Sequence, residues 1–337
     1  MYVVMTTARF IREGFTKREL EQALDCCLER IARGRYVARR VCDNPDHSAV
    51  WAAIDEAYAD EYEHFGDRRD AEERLRVIIH ARAEKTAGHA DGGRAASGRE
   101  IFSHLSAALI HGLPVVCLPD PRAEVYRGEI PRKYRHLHVR VDRVPEGHTT
   151  SVGIYRVTSV EWTLVDVALT YDLATAVAMI DHAIREGMTV ASRIARVLDG
   201  RPEARAQRRA RAALDLADGR RESPAESVAA VRFYEFGIVG MEPQVEMFGN
   251  AGVCFARVDF CHRASRTIVE VDGLAKYTEY ASDAKEALAD EKRRDDRLAA
   301  MGYRVFRVTW KQLFLASTFE EIGRIVRERS LAMERNH

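Results

Sequence analysis

Thr267-Ile-Val-Glu270-Val-Asp272-Gly273 is the stretch whose reading decides the fold of the C-terminal third. Side chains alternate along a strand, so Glu270 and Asp272 project from one face. Just upstream, Arg257-Val-Asp259-Phe-Cys261 reads as a second short strand. If the two strands pair, three carboxylates converge with no neutralising partner inside the strands. Such convergence is costly unless something positive sits among the acids, and a hard divalent cation is the usual answer. Solvated edge positions or arginine partners are the other reading of the same acids, in a chain rich in arginine. Downstream, a charged helical run from Asp283 to Met301 contains Glu291-Lys-Arg-Arg294 and stops at Gly302. Tyr303-Arg-Val-Phe-Arg-Val-Thr-Trp310 follows as another strand. Strand, strand, helix, strand with acids at the strand ends is a nuclease layout.

Several pieces in order carry a family likeness: Ser223-Pro-Ala-Glu226-Ser, Pro243-Gln244, Arg257-Val-Asp259-Phe, Glu270-Val-Asp272-Gly-Leu-Ala-Lys276-Tyr, Glu291-Lys-Arg-Arg294 and Gly302-Tyr-Arg-Val-Phe-Arg-Val-Thr-Trp310. With them, residues 223–329 resemble the PD-(D/E)xK endonuclease-like domains related to the very-short-patch repair (Vsr) nucleases. The resemblance implies a restriction-endonuclease-like mixed sheet flanked by helices and hydrolysis of DNA phosphodiester bonds. Asp259 and Glu270 are then the principal ligands of Mg²⁺ or Mn²⁺. That cation lowers the pKa of a bound water and neutralises charge building on the scissile phosphate. The position two after the glutamate, where the family carries lysine, holds Asp272 here. Either Lys276 supplies the ammonium from a shifted position, or Asp272 is a further metal ligand. Glu226 has two readings: Ser223-Pro-Ala-Glu226 is itself a capping box with proline at the first helical position, and the resemblance makes Glu226 an active-site acid. Lys292 and Arg293 sit where the following helix can face the DNA backbone. Glu291 is either a partner behind the metal ligands or the mate of an arginine, and Gln244 a candidate for positioning the metal-bound water.

The first forty residues read as helix, turn, helix and β-wing. Thr16-Lys-Arg-Glu19 is a capping box, and Leu20, Ala23, Leu24 and Cys27 follow at helical spacing as a buried stripe. Arg30-Ile-Ala-Arg33-Gly34-Arg35-Tyr-Val-Ala-Arg-Arg40 then alternates basic and apolar residues around one glycine. This segment resembles the winged helix-turn-helix that opens AbiEi-type antitoxins, regulators of bacterial abortive-infection systems. The resemblance extends through Phe102-Ser-His-Leu-Ser-Ala-Ala-Leu-Ile-His-Gly112-Leu-Pro and Val157-Thr-Ser-Val-Glu-Trp-Thr-Leu-Val-Asp166-Val-Ala-Leu. It implies DNA as a partner, with Lys17 and Arg18 at the helix start and Arg33 and Arg35 on the wing meeting phosphates. It also raises a cognate toxin as a second partner. A small helical cap with solvated charges is the alternative. His104, His111, His136 and His138 read as packed histidines with one hydrogen bond each.

The chain therefore reads as a multidomain α+β or α/β protein: a winged helix-turn-helix over 1–42, a helical and mixed middle region over 43–200, an arginine-rich linker over 201–222 and the endonuclease-like domain over 223–329. The linker holds seven arginines against three acids between 201 and 221. In the middle region Trp51, Ile54, Tyr58 and Tyr62 share a helical face, and Leu75, Val77, Ile78 and Ile79 make a second apolar run. At 337 residues the chain has room for two or three domains, and 46% hydrophobic residues support real cores. Lys plus Arg and Asp plus Glu both total 52, which excludes a uniformly basic DNA binder and leaves local clusters. The six cysteines show no Cys-x-x-Cys pair and no His/Cys ligand spacing, so reduced thiols in a cytoplasmic protein are expected and a zinc site is not. No apolar run approaches the ~18 residues of a membrane helix. The expected function is Mg²⁺-dependent DNA cleavage; the alternative is a non-catalytic regulator or antitoxin with a degenerate nuclease domain.

Overall fold

Thr16 and Glu19 start a helix in the way their spacing predicts. The Thr16 hydroxyl accepts the Glu19 N–H at 3.3 Å, and the Glu19 carboxylate accepts the Thr16 N–H at 2.7 Å. The computed structural model describes residues 5–12, 14–38, 42, 44–47, 68–87, 100–128, 130–201, 204–249, 252–272 and 284–335. Lys276 lies outside the described residues, as do Trp51, Ile54, Tyr58 and Tyr62. The chain is a mixed α/β, multidomain protein of two compact units, Met1–Val167 and Ala168–His337. That division falls inside the 43–200 stretch expected as one region. None of the described helices is long and apolar enough to cross a membrane.

The first unit begins with β1 (Met5–Thr6), α1 (Thr7–Arg12), α2 (Lys17–Leu24), β2 (Leu28–Ala32) and β3 (Arg35–Ala38), in a sheet of order β1-β3-β2. Arg33 and Gly34 make the β2–β3 turn. Gly34 has φ +74° and its Cα faces the Thr7 hydroxyl so closely that a Cβ would lie 3.3 Å from it, so glycine fits this turn. Met5, Phe10, Leu20, Ala23, Leu28 and Val37 close a small core. The helix α3 (Arg68–Ala87) buries Leu75, Val77, Ile78 and Ile79.

A six-stranded sheet of order β6-β7-β5-β4-β9-β8 completes the unit. It comprises β4 (Ile101–Phe102), β5 (Ala123–Tyr126), β6 (Arg132–Lys133), β7 (Leu137–Arg140), β8 (Thr149–Val152) and β9 (Tyr155–Thr158), with α4 (His104–Ile110) between β4 and β5. His104 and His111 make the hydrogen bond expected of them, whereas both ring nitrogens of His136 are buried without one among the described residues. His104 meets the Ser103 hydroxyl at 2.9 Å, and His111 the Thr158 carbonyl at 2.7 Å. His136 lies 3.3 Å from Glu29, and His138 3.8 Å from Glu124.

After α5 (Val160–Thr170), the second unit continues with α6 (Leu173–Arg185), α7 (Ala191–Asp199) and α8 (Ala204–Leu216). Residues expected as a linker are thus largely a packed helix: α8 buries Ala210 and Ala213. Its arginine Arg209 donates to the Ala168 and Leu169 carbonyls, which lie in the last turn of α5. Then come α9 (Pro224–Glu235), β10 (Glu242–Phe248), β11 (Cys254–His262), β12 (Thr267–Asp272), α10 (Ala284–Ala300), β13 (Arg304–Thr309) and α11 (Ala316–Glu334). The sheet order is β10-β11-β12-β13, antiparallel except for the parallel β12–β13 pair. A parallel pair needs a crossover, and α10 supplies it. Phe233 of α9 packs edge-on against both Phe260 of β11, on one sheet face, and Phe319 of α11. On the other face Leu298 of α10 packs with Cys261 and Ile268.

Candidate functional site

Strand register brings the sequence's acids into one row. The pairs Pro243↔Phe260 and Val245↔Val258 bracket Gln244 and Asp259, setting them level across β10 and β11. Phe260↔Val269 sets Asp259 level with Glu270 one step further along β11 and β12. Glu270 pairs with Arg307 across β12 and β13. Gln244, Asp259, Glu270 and Arg307 therefore cross the four strands in order, with both acids on the central pair. Asp259 and Glu270 share the face that α10 covers, because both follow the parity of Cys261 and Ile268.

The partners of these acids decide what the row can do. Asp259 Oδ2 accepts the Val271 N–H at 2.8 Å. Glu270 is buried, 8% exposed, and its Oε2 receives Arg294 of α10 at 2.8 Å, with Arg307 Nε 3.6 Å away. Burial pushes the Glu270 carboxyl above its ordinary range, Arg294 and Arg307 pull it back, and Asp259 and Asp295 add to the rise. Glu291 and Asp295 both hold Arg307, at 3.0 and 2.7 Å, so Glu291 is an arginine mate. Asp272 ends β12, half-buried and level with Thr309.

Glu226 lies at the start of α9, within reach of both the helix cap and β10. Its carboxylate accepts from the Ser223 hydroxyl at 2.8 Å and the Glu222 N–H at 3.1 Å, while the Ser223 hydroxyl accepts the Glu226 N–H at 3.2 Å. The back-bond reaches the residue before the cap, one position earlier than the capping-box pattern predicts. The same carboxylate accepts from Gln244 Nε2 at 2.7 Å, which ties α9 to the β10 end of the row. Gln244 has φ +54°, a left-handed backbone unusual for a side chain of its size. A groove beside it is lined by Arg220, Arg257 and Arg263 with Glu222, Glu242 and Glu246.

Glu226, Asp259, Glu270 and Asp272 do not supply three carboxylate oxygens within 4.8 Å of one another among the described residues. Asp259 and Glu270 are level on neighbouring strands, Asp272 lies two residues further along β12, and Arg294 is on Glu270. Two carboxylates plus waters and phosphate oxygens are the usual protein complement of Mg²⁺. The donor set of Asp259 and Glu270 fits such an ion when Arg294 leaves Glu270.

The basic residues divide as well. Lys17, Arg18 and Arg33 are exposed, and Lys17 lies 3.7 Å from Glu21 one helical turn on. Arg35 instead turns inward to Glu84 of α3, lining a cavity with His80 and Tyr155. Its guanidinium is therefore engaged within the unit, away from the exposed face of the hairpin turn. Lys292 and Arg293 are exposed on α10.

One grouping was absent from the sequence reading. Cys26, Cys27, Cys42 and His47 bring three sulfurs and an imidazole nitrogen within 4.8 Å of one another. The expectation of scattered thiols without ligand spacing is corrected here. The spacing Cys-Cys-x₁₄-Cys-x₄-His contains no Cys-x-x-Cys, and only the folding of the β2–β3 hairpin closes it.

No family model matches the chain, and no curated protein matches it. Among solved structures, the crystal structure of the RV2827C protein from Mycobacterium tuberculosis is similar at a TM-score of 0.31 and 17% identity, over 68% of this chain and 75% of that one. A likeness so remote carries no argument about either unit.

Proposed function

We propose that the chain is a DNA-binding protein whose second unit is an endonuclease-like module, hydrolysing DNA phosphodiester bonds with Mg²⁺ or Mn²⁺. The observation that carries this reading is the level placement of Asp259 and Glu270 on the two central strands of an α-β-β-β-α-β core. Asp259 and Glu270 would hold the ion, with Asp272 at the strand end as the nearest further carboxylate on the chain. When bound, the cation supplies an activated water and neutralises charge on the scissile phosphate. Val271 N–H fixes the Asp259 carboxylate, and Glu226 fixes Gln244 beside it. Arg294 and Arg307 supply positive charge at the same row, suited to a phosphate. Lys276 would act from the segment after Asp272. In the first unit, the order β1-α1-α2-β2-β3 with sheet order β1-β3-β2 supports a winged helix-turn-helix reading. Lys17, Arg18 and Arg33 would contact phosphates there.

The Arg294–Glu270 ion pair favours a second reading, a non-catalytic DNA-binding regulator or antitoxin that retains the nuclease shape. An arginine already in place of the cation would make the module permanently metal-free. A plasmid-nicking assay in Mg²⁺ and Mn²⁺, run beside DNA-binding measurements, separates the two. Hydrolysis requires metal-dependent nicking by the wild type that Asp259→Ala abolishes while DNA affinity persists. Unchanged binding with no nicking in either metal establishes the regulator and overturns hydrolysis.

A further inference from the structure

The Cys26, Cys27, Cys42 and His47 cluster lies in the first unit, and nothing in the proposed DNA chemistry uses it. Cys26 and Cys27 occupy the turn that follows α2; both backbone N–H groups point at the Ala23 carbonyl, at 3.2 and 2.8 Å. Cys42 comes after the β2–β3 hairpin, and His47 ends a single 3₁₀ turn, Pro45–His47. Cys27 and His47 are buried, and Cys26 and Cys42 are half-buried. The four donors thus come from the two chain segments that flank the hairpin at its open end, where Leu28 pairs with Ala38.

Their separations have the dimensions of a coordination tetrahedron. Zinc–sulfur bonds of about 2.3 Å and zinc–nitrogen bonds of about 2.0–2.1 Å give edges of roughly 3.8 Å between sulfurs and roughly 3.6 Å between sulfur and nitrogen. Here Cys26 Sγ and Cys42 Sγ are 3.5 Å apart. His47 Nδ1 is 3.7 Å from Cys27 Sγ and 3.3 Å from Cys42 Sγ. Hydrogen bonding alone accounts for this poorly. A neutral imidazole nitrogen has one lone pair and accepts from one thiol, yet two sulfurs stand around Nδ1. A single ion at the centre takes that lone pair and all three sulfurs together.

We propose that Cys26, Cys27, Cys42 and His47 form a structural zinc site. Three sulfurs and one imidazole are a soft donor set that selects Zn²⁺ over the hard Mg²⁺ or Mn²⁺ of the acidic row. Four protein ligands close the coordination sphere, so the ion has no open position for catalysis. Its work is mechanical: it ties the end of α2 to the segment beyond the hairpin, in a part of the chain with a small core. Binding displaces a proton from each of the three thiols, so the site fills more readily as pH rises.

The test is metal analysis of the full-length protein purified under reducing conditions without chelator. One zinc per chain is expected, together with retention of that zinc by Asp259→Ala, which separates this site from the acidic pair. Cobalt added to the chelator-stripped protein is expected to give the visible bands of a tetrahedral thiolate site. Cys42→Ser should lose those bands. His47→Cys should keep the metal and shift the cobalt spectrum toward that of four thiolates, an outcome that mere packing of the residues would not produce. Wild-type protein that holds no zinc and shows no tetrahedral cobalt bands, while folded by circular dichroism, overturns the site.

Discussion

Arg33 and Arg35 flank one glycine of the same hairpin and have opposite fates. Arg33 projects from the turn, whereas Arg35 is spent on Glu84. If the hairpin grips DNA, Arg33→Ala should lower the slope of log affinity against log salt by about 0.9, the increment of one phosphate contact. Arg35→Ala should leave that slope unchanged and instead lower stability; equal slope changes from both would refute the assignment. Sequence alternation alone could not separate the two, because the partner of Arg35 is a carboxylate 49 positions along the chain. The same holds at Glu270. Its strand, its face and its neighbour Asp259 are legible in the Thr-Ile-Val-Glu-Val-Asp pattern, but its ion pair with Arg294, 24 positions along the chain, is not. Cys26, Cys27, Cys42 and His47 escaped notice for a related reason: the chain between the donors, not their spacing, brings them together.

At the scale of elements, local chemistry was easily read. Thr16 and Ser223 begin helices where their capping signals stand, Gly302 stops α10, and β11, β12 and β13 fall where β-branched and aromatic residues alternate. The six-stranded sheet was mostly hidden, since strands of two to four residues leave little periodicity to detect. Within it β7 carries a titration with a measurable sign. Burial, then Arg140 and Lys133, hold His138 down to about 4 from its ordinary 6.5; Glu124 nearby is already taken by Arg140. The unfolded chain binds the His138 proton more readily between those values, so this contribution to stability is complete above 6.5 and lost as pH falls toward 4. Urea unfolding at pH 7 and pH 5 should show a smaller loss on acidification for His138→Gln than for the wild type. An identical loss in both proteins would place the acid sensitivity elsewhere.

For the whole molecule, the second unit depends on a buried ionic junction. Asp181 of α6 is 1% exposed and accepts from Arg221 at 2.6 Å, the Ser227 hydroxyl at 2.7 Å and the Asp218 N–H at 2.6 Å. It joins α6, the turn after α8 and α9, so the stretch that composition marked as a linker is a structural part of the unit. Removing one member of such a pair strands the other: Asp181→Ala should cost about 3–5 kcal/mol in chemical denaturation, and Asp181→Leu with Arg221→Met should recover much of it. A loss below about 1 kcal/mol for the single change would mean that water already reaches the pair. The parallel pairing of β12 with β13 has a temporal consequence. The acid-bearing strand has only one neighbour until residues beyond Arg304 emerge from the ribosome, so a chain terminated early would display an unpaired, largely apolar border. Such a fragment should be sticky and prone to self-association, and quality control during synthesis would meet it before any nucleic acid did.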